Sequence, residues 1–584
     1  MTQHATTVIS DRLNDARPQV TGRVGSIRDG LFCVLVFTAC YFAARPFAEM
    51  GFLDDWSYAK SAQLFAQTGH FVYNGWASPM LGWLIPWGAL FIRLFGFSFT
   101  VVKLSTLPIA MATVFVLHAT LIRFGATPRN AVIAALTLGL SPLFLPLSAS
   151  YMTDVPGLLV ILVCIYCCKR AVDAPGSSGA IAWLAIAAAS NVAGGTVRQA
   201  AWFCALVMVP STAWFLRKRR GVLLAAGVLW VGAVAAIFGL THWYEAQPYS
   251  APSPMFYPGP LWQKFARTLF DSLGAFLCLA LVVYPVFIAW LPKIRKANRK
   301  MLVNTAILVL VWTWMQWKQD WTLPWNPHLI VSEFARSRNA EMLPPDPSAF
   351  MLPFAGRLLF SALIFVTILV FRRSVIDEHQ VRGALTRPAF WILVPFSLAY
   401  VVMLLPLISP LVFFDRYLLA LMPVAMIILL EIRQREQTPD LSGLSMVTLV
   451  VYALLAVAAT HDWFAWQRAR IAAIAEVQAT GVPRYQIQGG IEFDGWTQVE
   501  NGGHINVIRI KNPPGAFDPN PRLPQVAKDC QLDFAPFTPS VQPVYSVVFG
   551  PKPCLQPTNF PPVEFTSWLP PFHRWVYVQK IPGK

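Results

Sequence analysis

The sequence predicts an all-α polytopic membrane protein of about 13 transmembrane helices, ending in a small extracytoplasmic domain of α/β or β type. Three observations predict it. Of the 584 residues 56% are hydrophobic and 13% charged, with a mean hydropathy of +0.51, a balance foreign to a soluble globule of this size. Apolar runs long enough to span a bilayer recur from residue 29 to residue 461 and then stop. The basic clusters Arg217 to Arg220, Lys293 to Lys300 and Arg372 to Arg373 each occupy a short gap between two such runs. The formal charge of +17 therefore reads as a set of topology signals and argues against a nucleic-acid partner.

In chain order, residues 1–27 are polar, carry Arg12, Arg17 and Arg23, and show no small-residue cleavage site, which predicts a cytoplasmic N-terminal tail. Candidate spans follow at 29–47, 79–97, 100–122, 130–148, 155–169, 180–196, 199–216, 221–241, 268–291, 301–317, 351–371, 388–409, 416–431 and 442–461. Were 79–97 to span, Arg123, Arg129 and every later short basic loop would fall on the outer side. Treating that run, with Pro79, Pro86 and Arg93, as a helix along the outer surface returns those loops to the cytoplasm and puts the C-terminus outside. The expected division is then 1–27 as tail, 28–462 as transmembrane domain with a first external loop at 48–99, and 463–584 as an extracytoplasmic C-terminal domain.

Further external regions are expected at 242–267 and 318–350. The C-terminal domain holds alternating stretches at Tyr485 to Phe493, His504 to Ile510, Val544 to Phe549 and Trp575 to Val578, which read as strands. Seven of the nine cysteines lie in apolar runs and act as small hydrophobes, including the pair Cys164 and Cys167. Cys530 and Cys554 stand apart in the Pro-rich tail, where a disulfide suits an oxidising compartment.

Chemistry concentrates at the external ends of spans. Asp54 and Asp55 follow the first span in Gly51-Phe52-Leu53-Asp54-Asp55-Trp56-Ser57-Tyr58-Ala59. Adjacent positions on a helix do not share a face, so one acid can point into a site while the other caps or pairs, and close like charges raise one pKa toward that of a base. Capping of the helix that starts near Trp56 is the ordinary alternative. Asp154, in Thr153-Asp154-Val155-Pro156, falls on the same face and reads equally as a helix start. Arg198 and Arg416, the latter beside Tyr417, sit at external helix ends where the charge rule expects no cations, so a phosphate partner explains them; for Arg416, pairing with Asp415 or snorkelling is the alternative. His242 and His328 are too scattered to define a metal site, and a divalent metal stays open with no cofactor required. There is no phosphate-binding G-x-x-x-x-G-K loop, which argues against an ATP-driven pump.

Together these motifs resemble the integral-membrane glycosyltransferases of the GT-C superfamily, in particular the branch holding the aminoarabinose transferases of lipid A and the protein O-mannosyltransferases. Asp54-Asp55-Trp56-Ser57-Tyr58-Ala59 looks like that family's acidic motif in the first external loop, where the first acid is the base. Ser78-Pro79-Met80 with Leu94-Phe95-Gly96-Phe97-Ser98 is similar to its juxtamembrane segment, Thr153-Asp154-Val155-Pro156 to its second acidic motif, and Asp415-Arg416-Tyr417-Leu418-Leu419 to its late Arg-Tyr motif. One departure stands out. Trp76-Ala77-Ser78-Pro79 lacks the acidic and basic residues that the aminoarabinose enzymes carry before their Pro pair, and with them a family-type metal ligand.

The resemblance implies an inverting hexosyl- or pentosyltransferase in a bacterial inner membrane, with its C-terminal domain periplasmic. The donor would be a polyprenyl-phosphate-linked sugar, and the acceptor an envelope lipid, glycan or protein. It implies Asp54 as base, Asp55 and Asp154 as supports of the site, and Arg198, Arg416 and Tyr417 as binders of the donor phosphate. A flippase or transporter of lipid-linked glycans, or an O-antigen ligase or polymerase, is the alternative; a transporter would place charges at mid-span, whereas these cluster at helix ends.

Overall fold

A computed structural model describes residues 23–252 except 78, scattered positions between 260 and 314, then 362–371, 384–407, 415–435, 440–524 and 534–582 except 571. Seven helices among these are long and apolar enough to cross a membrane. The chain opens with α1 (Arg23–Ala43), whose apolar face exposes Leu31 and Leu35 as a lipid-facing helix would. The helix that follows, α2 (Asp55–Thr68), ends at Gly69, whose φ of +74° supplies the left-handed cap. The next, α3 (Leu84–Phe95), has 12 residues. At 1.5 Å per residue it reaches roughly 18 Å, short of the hydrocarbon core. The run at 79–97 thus forms no spanning helix.

A spanning helix, α4 (Phe99–Arg123), starts where the Ser98 hydroxyl accepts a hydrogen bond from the Val101 N–H at 3.1 Å. The helix α5 (Pro128–Gly139) is announced by Thr127, whose hydroxyl accepts from the Asn130 N–H, and by Pro128 at its first position. The expected span 130–148 is not one helix: α5 stops at Gly139 and a separate turn, Phe144–Ser148, follows. Pro142 explains the break, since it lacks an N–H and disfavours helical geometry in the residue before it. Then come α6 (Asp154–Asp173) and α7 (Ser177–Gly195). The expected span 199–216 begins instead with a 3₁₀ turn at Gln199–Ala201, widens to a π-helix at Cys204–Met208 and only then turns α at Val209–Phe215. Pro210 again accounts for it, because the carbonyls one turn earlier lose a donor.

The chain continues with α8 (Arg220–Glu245), α9 (Pro388–Leu407) and α10 (Leu421–Arg435), the last entered through a 3₁₀ stretch at Asp415–Ala420. Parts of the expected spans at 268–291, 301–317 and 351–371 lie outside the described residues; the described end of the last is a helix, Ala362–Phe371. The final helix, α11 (Gly443–Ala479), overruns its expected end at 461. Its 37 residues reach about 55 Å, so its upper half stands clear of any bilayer and becomes a post for the C-terminal domain.

That domain is smaller in sheet and richer in helix than the alternation suggested. Its strands are β1 (Ile487–Gln488), β2 (Tyr545–Val548), β3 (Gln556–Pro557), β4 (Val563–Thr566) and β5 (His573–Lys580), in the order β1-β2-β5-β3 with β4 paired to β5. Only β1 and β2 run parallel. Most of Tyr485 to Phe493 is not strand, because Phe493 belongs to a helix, α12 (Ile491–Gly502), and His504 to Ile510 forms turns. Phe565, Val576 and Val578 share one buried cluster with Ala465, Ala469, Ala473 and Ile474, so the sheet packs along the upper half of α11. Cys554 is disulfide-bonded, Cys530 lies outside the described residues, and Cys33, Cys40, Cys164, Cys167, Cys168 and Cys204 are free thiols.

Helix α12 joins the membrane part to the tail. Gly495 lets it lie on Trp56, where an added Cβ would come within 2.6 Å of the indole ring. Trp496 stacks on Phe97 and meets Phe99 edge-on, and Lys60 lies 4.5 Å from the centre of the Trp496 ring. Beneath this contact, Glu492 and Arg470 pair at 2.7 Å with both side chains buried.

Candidate active site

The turn into α2 carries the first two acids and is held from three sides. Leu53 adopts a positive φ of 54°, a costly conformation for a branched side chain, which directs the next two residues apart. Buried Lys103 donates to the carbonyls of Ala48 at 3.0 Å and Met50 at 2.5 Å, tying the loop to α4. One oxygen of Asp55 accepts from the Phe52 N–H at 2.5 Å and the other from the Tyr151 N–H at 2.9 Å. Asp55 therefore clamps the loop before α2 to the segment that leads into α6, three residues before Asp154.

Asp55 is 1% exposed, and its pKa is pushed up to about 6. Burial is the main cause; Lys103 and the two backbone donors pull the other way, and Glu492 adds to the rise. An acid whose pKa is higher folded than unfolded favours the fold at low pH and withdraws that stability as pH rises from the unfolded value to the folded one. Between about pH 4 and pH 6 the fold should lose roughly 3 kcal/mol through this group. Thermal unfolding of wild type and Asp55→Asn between pH 4.5 and 7.5 measures it: wild type should lose stability relative to the variant as pH rises. A pH-independent gap would sink the assignment.

Asp54 occupies the N-cap position of α2 but makes no capping hydrogen bond. One oxygen accepts from the Trp76 indole N–H at 2.8 Å, and the other lies 3.9 Å from Arg416, a loose ion pair. Its side chain is 35% exposed. Trp76 is in turn set by a latch in which Asn74 accepts from the Ser57 hydroxyl at 2.8 Å and from the Trp76 N–H at 3.3 Å, and donates to the Ser57 carbonyl at 2.9 Å. Ser57 and Trp76 thus aim Asp54 away from the helix end, and helix capping does not explain it.

The second pair stands beside the first. Asp154, buried at the first turn of α6, meets Arg198 at 2.9 Å, and Arg198 also donates to the Thr153 hydroxyl at 3.3 Å. Both arginines face the ring of Tyr417, Arg198 at 5.2 Å and Arg416 at 6.0 Å from its centre. Tyr400 donates its hydroxyl to the Tyr417 carbonyl at 2.6 Å. Tyr58, one turn after Asp54 on α2, is buried within electrostatic reach of Asp54, Arg416, Asp154 and Arg198. Burial and Asp54 push its ionisation well up, so it stays a neutral phenol among the four charges.

The approach of Arg198 depends on Gly157, where an added Cβ would come within 2.6 Å of the Arg198 Cβ. Gly157→Ala should push Arg198 off Asp154 at a cost of about 1 to 3 kcal/mol. Thermal unfolding of the purified variant checks this, and an unchanged midpoint would mean that the backbone yields instead.

Asp54, Asp55, Asp154, Arg198, Arg416 and Tyr417 are therefore all neighbours in space, with Asp55 facing away from the other acids into its clamp. Tyr58, Trp76 and Tyr400 were missed by sequence reasoning. Tyr58 was detectable as the i+4 neighbour of Asp54, whereas nothing local marks Trp76 or Tyr400. His242 is exposed on α8, and His328 lies outside the described residues. Among the described residues no group of three or more His, Cys, Asp or Glu side chains could hold a metal ion.

No family model and no curated protein matches the sequence. Solved structures do. ArnT from Cupriavidus metallidurans in the apo state is 12% identical over 94% of this chain and 97% of its own, with a TM-score of 0.39. The Archaeoglobus fulgidus oligosaccharyltransferase in complex with Zn and sulfate is 14% identical over 76% of this chain and 56% of its own, at a TM-score of 0.41. The S. cerevisiae protein O-mannosyltransferase Pmt1-Pmt2 complex bound to the sugar donor is 14% identical over 37% of this chain, at a TM-score of 0.29, and the chain spans 33% of that relative's length. All three are glycosyltransferases of the GT-C type.

Proposed function

We propose that the protein is a membrane glycosyltransferase that moves a hexose or pentose from a polyprenyl-phosphate donor to an envelope lipid, glycan or protein on the external membrane face. The observation that carries this reading is a part-exposed carboxylate, Asp54, beside Arg416, with the guanidiniums of Arg416 and Arg198 facing one tyrosine ring. A phosphate-activated sugar needs little covalent help. The protein has to orient the acceptor, take its proton and neutralise the departing phosphate.

Asp54 takes the acceptor proton as the hydroxyl oxygen attacks the anomeric carbon from the side opposite the phosphate, which inverts that carbon. The anomeric C–O bond breaks and its electron pair leaves on the phosphate oxygen. Arg416 and Arg198 meet that charge, with the Tyr417 ring fixing the spacing between them. Asp55 keeps the loop that carries Asp54 in register with α6, and Asp154 keeps Arg198 charged and oriented. No step here calls for a metal.

Mass spectrometry of envelope lipids, glycans and glycoproteins tests the reading in a deletion strain complemented with wild type or Asp54→Asn. One sugar should vanish on deletion and return with wild type alone. Accumulation of whole lipid-linked glycans would instead favour a flippase, and activity only on diphosphate-linked glycans would favour a ligase or polymerase.

A further inference from the structure

We propose that the turn of the β4–β5 hairpin lies in the lipid–water interface of the outer leaflet and seats the C-terminal domain on the membrane. Three observations at one place carry this, independently of the transfer chemistry.

First, the hairpin descends toward the bilayer. Its strands pair from Val563 with Val576 to Thr566 with His573, and the turn closes where the Ser567 N–H donates to the Phe572 carbonyl at 2.8 Å. Phe565 and Val576 belong to one buried cluster with α11 residues from Ala465 to Val477, whereas the turn reaches back to Asp462. There the Asp462 carboxylate accepts the N–H groups of Trp568 at 2.6 Å and Leu569 at 3.0 Å. The Trp568 ring stacks on His461 at 3.9 Å between centres, 8° from parallel.

Second, His461 and Asp462 mark the level at which α11 leaves the hydrocarbon. Below them the helix exposes Val447, Val450, Val451 and Leu454, a face that suits acyl chains; above them it carries Arg468 and buried Arg470. The turn thus continues the lipid-facing surface of α11 at its outer end.

Third, the turn shows to the outside what an interface selects. Trp568, Phe572 and Trp575 are 46%, 56% and 42% exposed, three large aromatics within eight residues of one another. Water alone gives no reason to group them, whereas the headgroup layer accepts an indole with its ring toward the acyl chains and its N–H toward water. A second copy of the chain could also cover such a patch, but the hairpin's descent to the exit level of α11 points to lipid.

The test uses the full-length protein in nanodiscs holding one copy each. Phe572→Cys is labelled with an environment-sensitive fluorophore, with Gln478→Cys as control. Gln478 is exposed near the top of α11, about 24 Å further along the helix than Asp462. Unsubstituted protein gives the background from the native thiols, and lipids bearing a nitroxide in the headgroup or high on the acyl chain serve as quenchers. Emission at 572 should be blue-shifted and quenched several-fold more than at 478. Equal quenching at the two positions overturns the proposal, as does a blue shift at 572 that appears only in discs holding two copies.

Discussion

Asp54→Asn is expected to reduce glycosyl transfer by about 10²- to 10⁴-fold, the usual contribution of a positioned general base, while the protein remains folded. The substitution keeps the shape of the side chain and an oxygen that can still accept from the Trp76 indole N–H, the contact now made at 2.8 Å. It removes the negative charge that faces Arg416 at 3.9 Å, and with it the capacity to take a proton. Because the pair is loose and Asp54 is part-exposed, little stability rides on it. Activity and stability should therefore separate. Initial rates with a polyprenyl-phosphate-linked sugar, alongside thermal unfolding in the same detergent, make the comparison. A rate within about threefold of wild type would remove Asp54 from the chemistry, because a base cannot be dispensable at that level.

The opposite pattern is expected for the second pair. Arg198→Met leaves Asp154, whose side chain is 1% exposed, without the guanidinium now 2.9 Å away. Stranding a buried charge costs about 3 to 5 kcal/mol, so this variant should be poorly stable as well as inactive. The double variant Arg198→Met/Asp154→Asn removes the stranded charge and should recover most of that stability, since a buried ion pair replaced as a whole is often neutral. It should not recover transfer, because the cation proposed to meet the departing phosphate is still gone. Two results would break this account: an Arg198→Met protein as stable as wild type, or a double variant that regains its rate.

Both predictions rest on residues visible at different depths in the sequence. The acids stood out because carboxylates next to spans are expensive and few, and the charge rule gave Arg198 and Arg416 the same prominence by making them exceptions. What each acid does was not readable. Asp54 and Asp55 are adjacent and chemically identical, yet one faces Arg416 and the other is sealed beneath the backbone donors of Phe52 and Tyr151. That choice is made by a positive φ at Leu53 and by the Ser57 to Asn74 latch, which links residues 17 positions apart. The strands of the C-terminal domain were misread for a related reason. Alternation in Tyr485 to Phe493 reflects two environments, a strand edge and then a helix packed on Trp56, that merely follow one another in the chain.

By itself, then, the sequence determined that the chain is apolar enough to enter a bilayer, roughly where most of its long apolar helices lie, and which few polar residues stand at helix ends. It could do so because burying charge in hydrocarbon and leaving backbone groups unpaired there are costs paid residue by residue. Tertiary structure alone decided that Tyr58 and Trp76 complete the site, that α11 extends past the membrane to carry a sheet, and that Glu492 from the tail bears on Asp55. These are contacts between distant segments, set by how close two packed surfaces can come. At Gly157 and Gly495 that limit is a single missing Cβ.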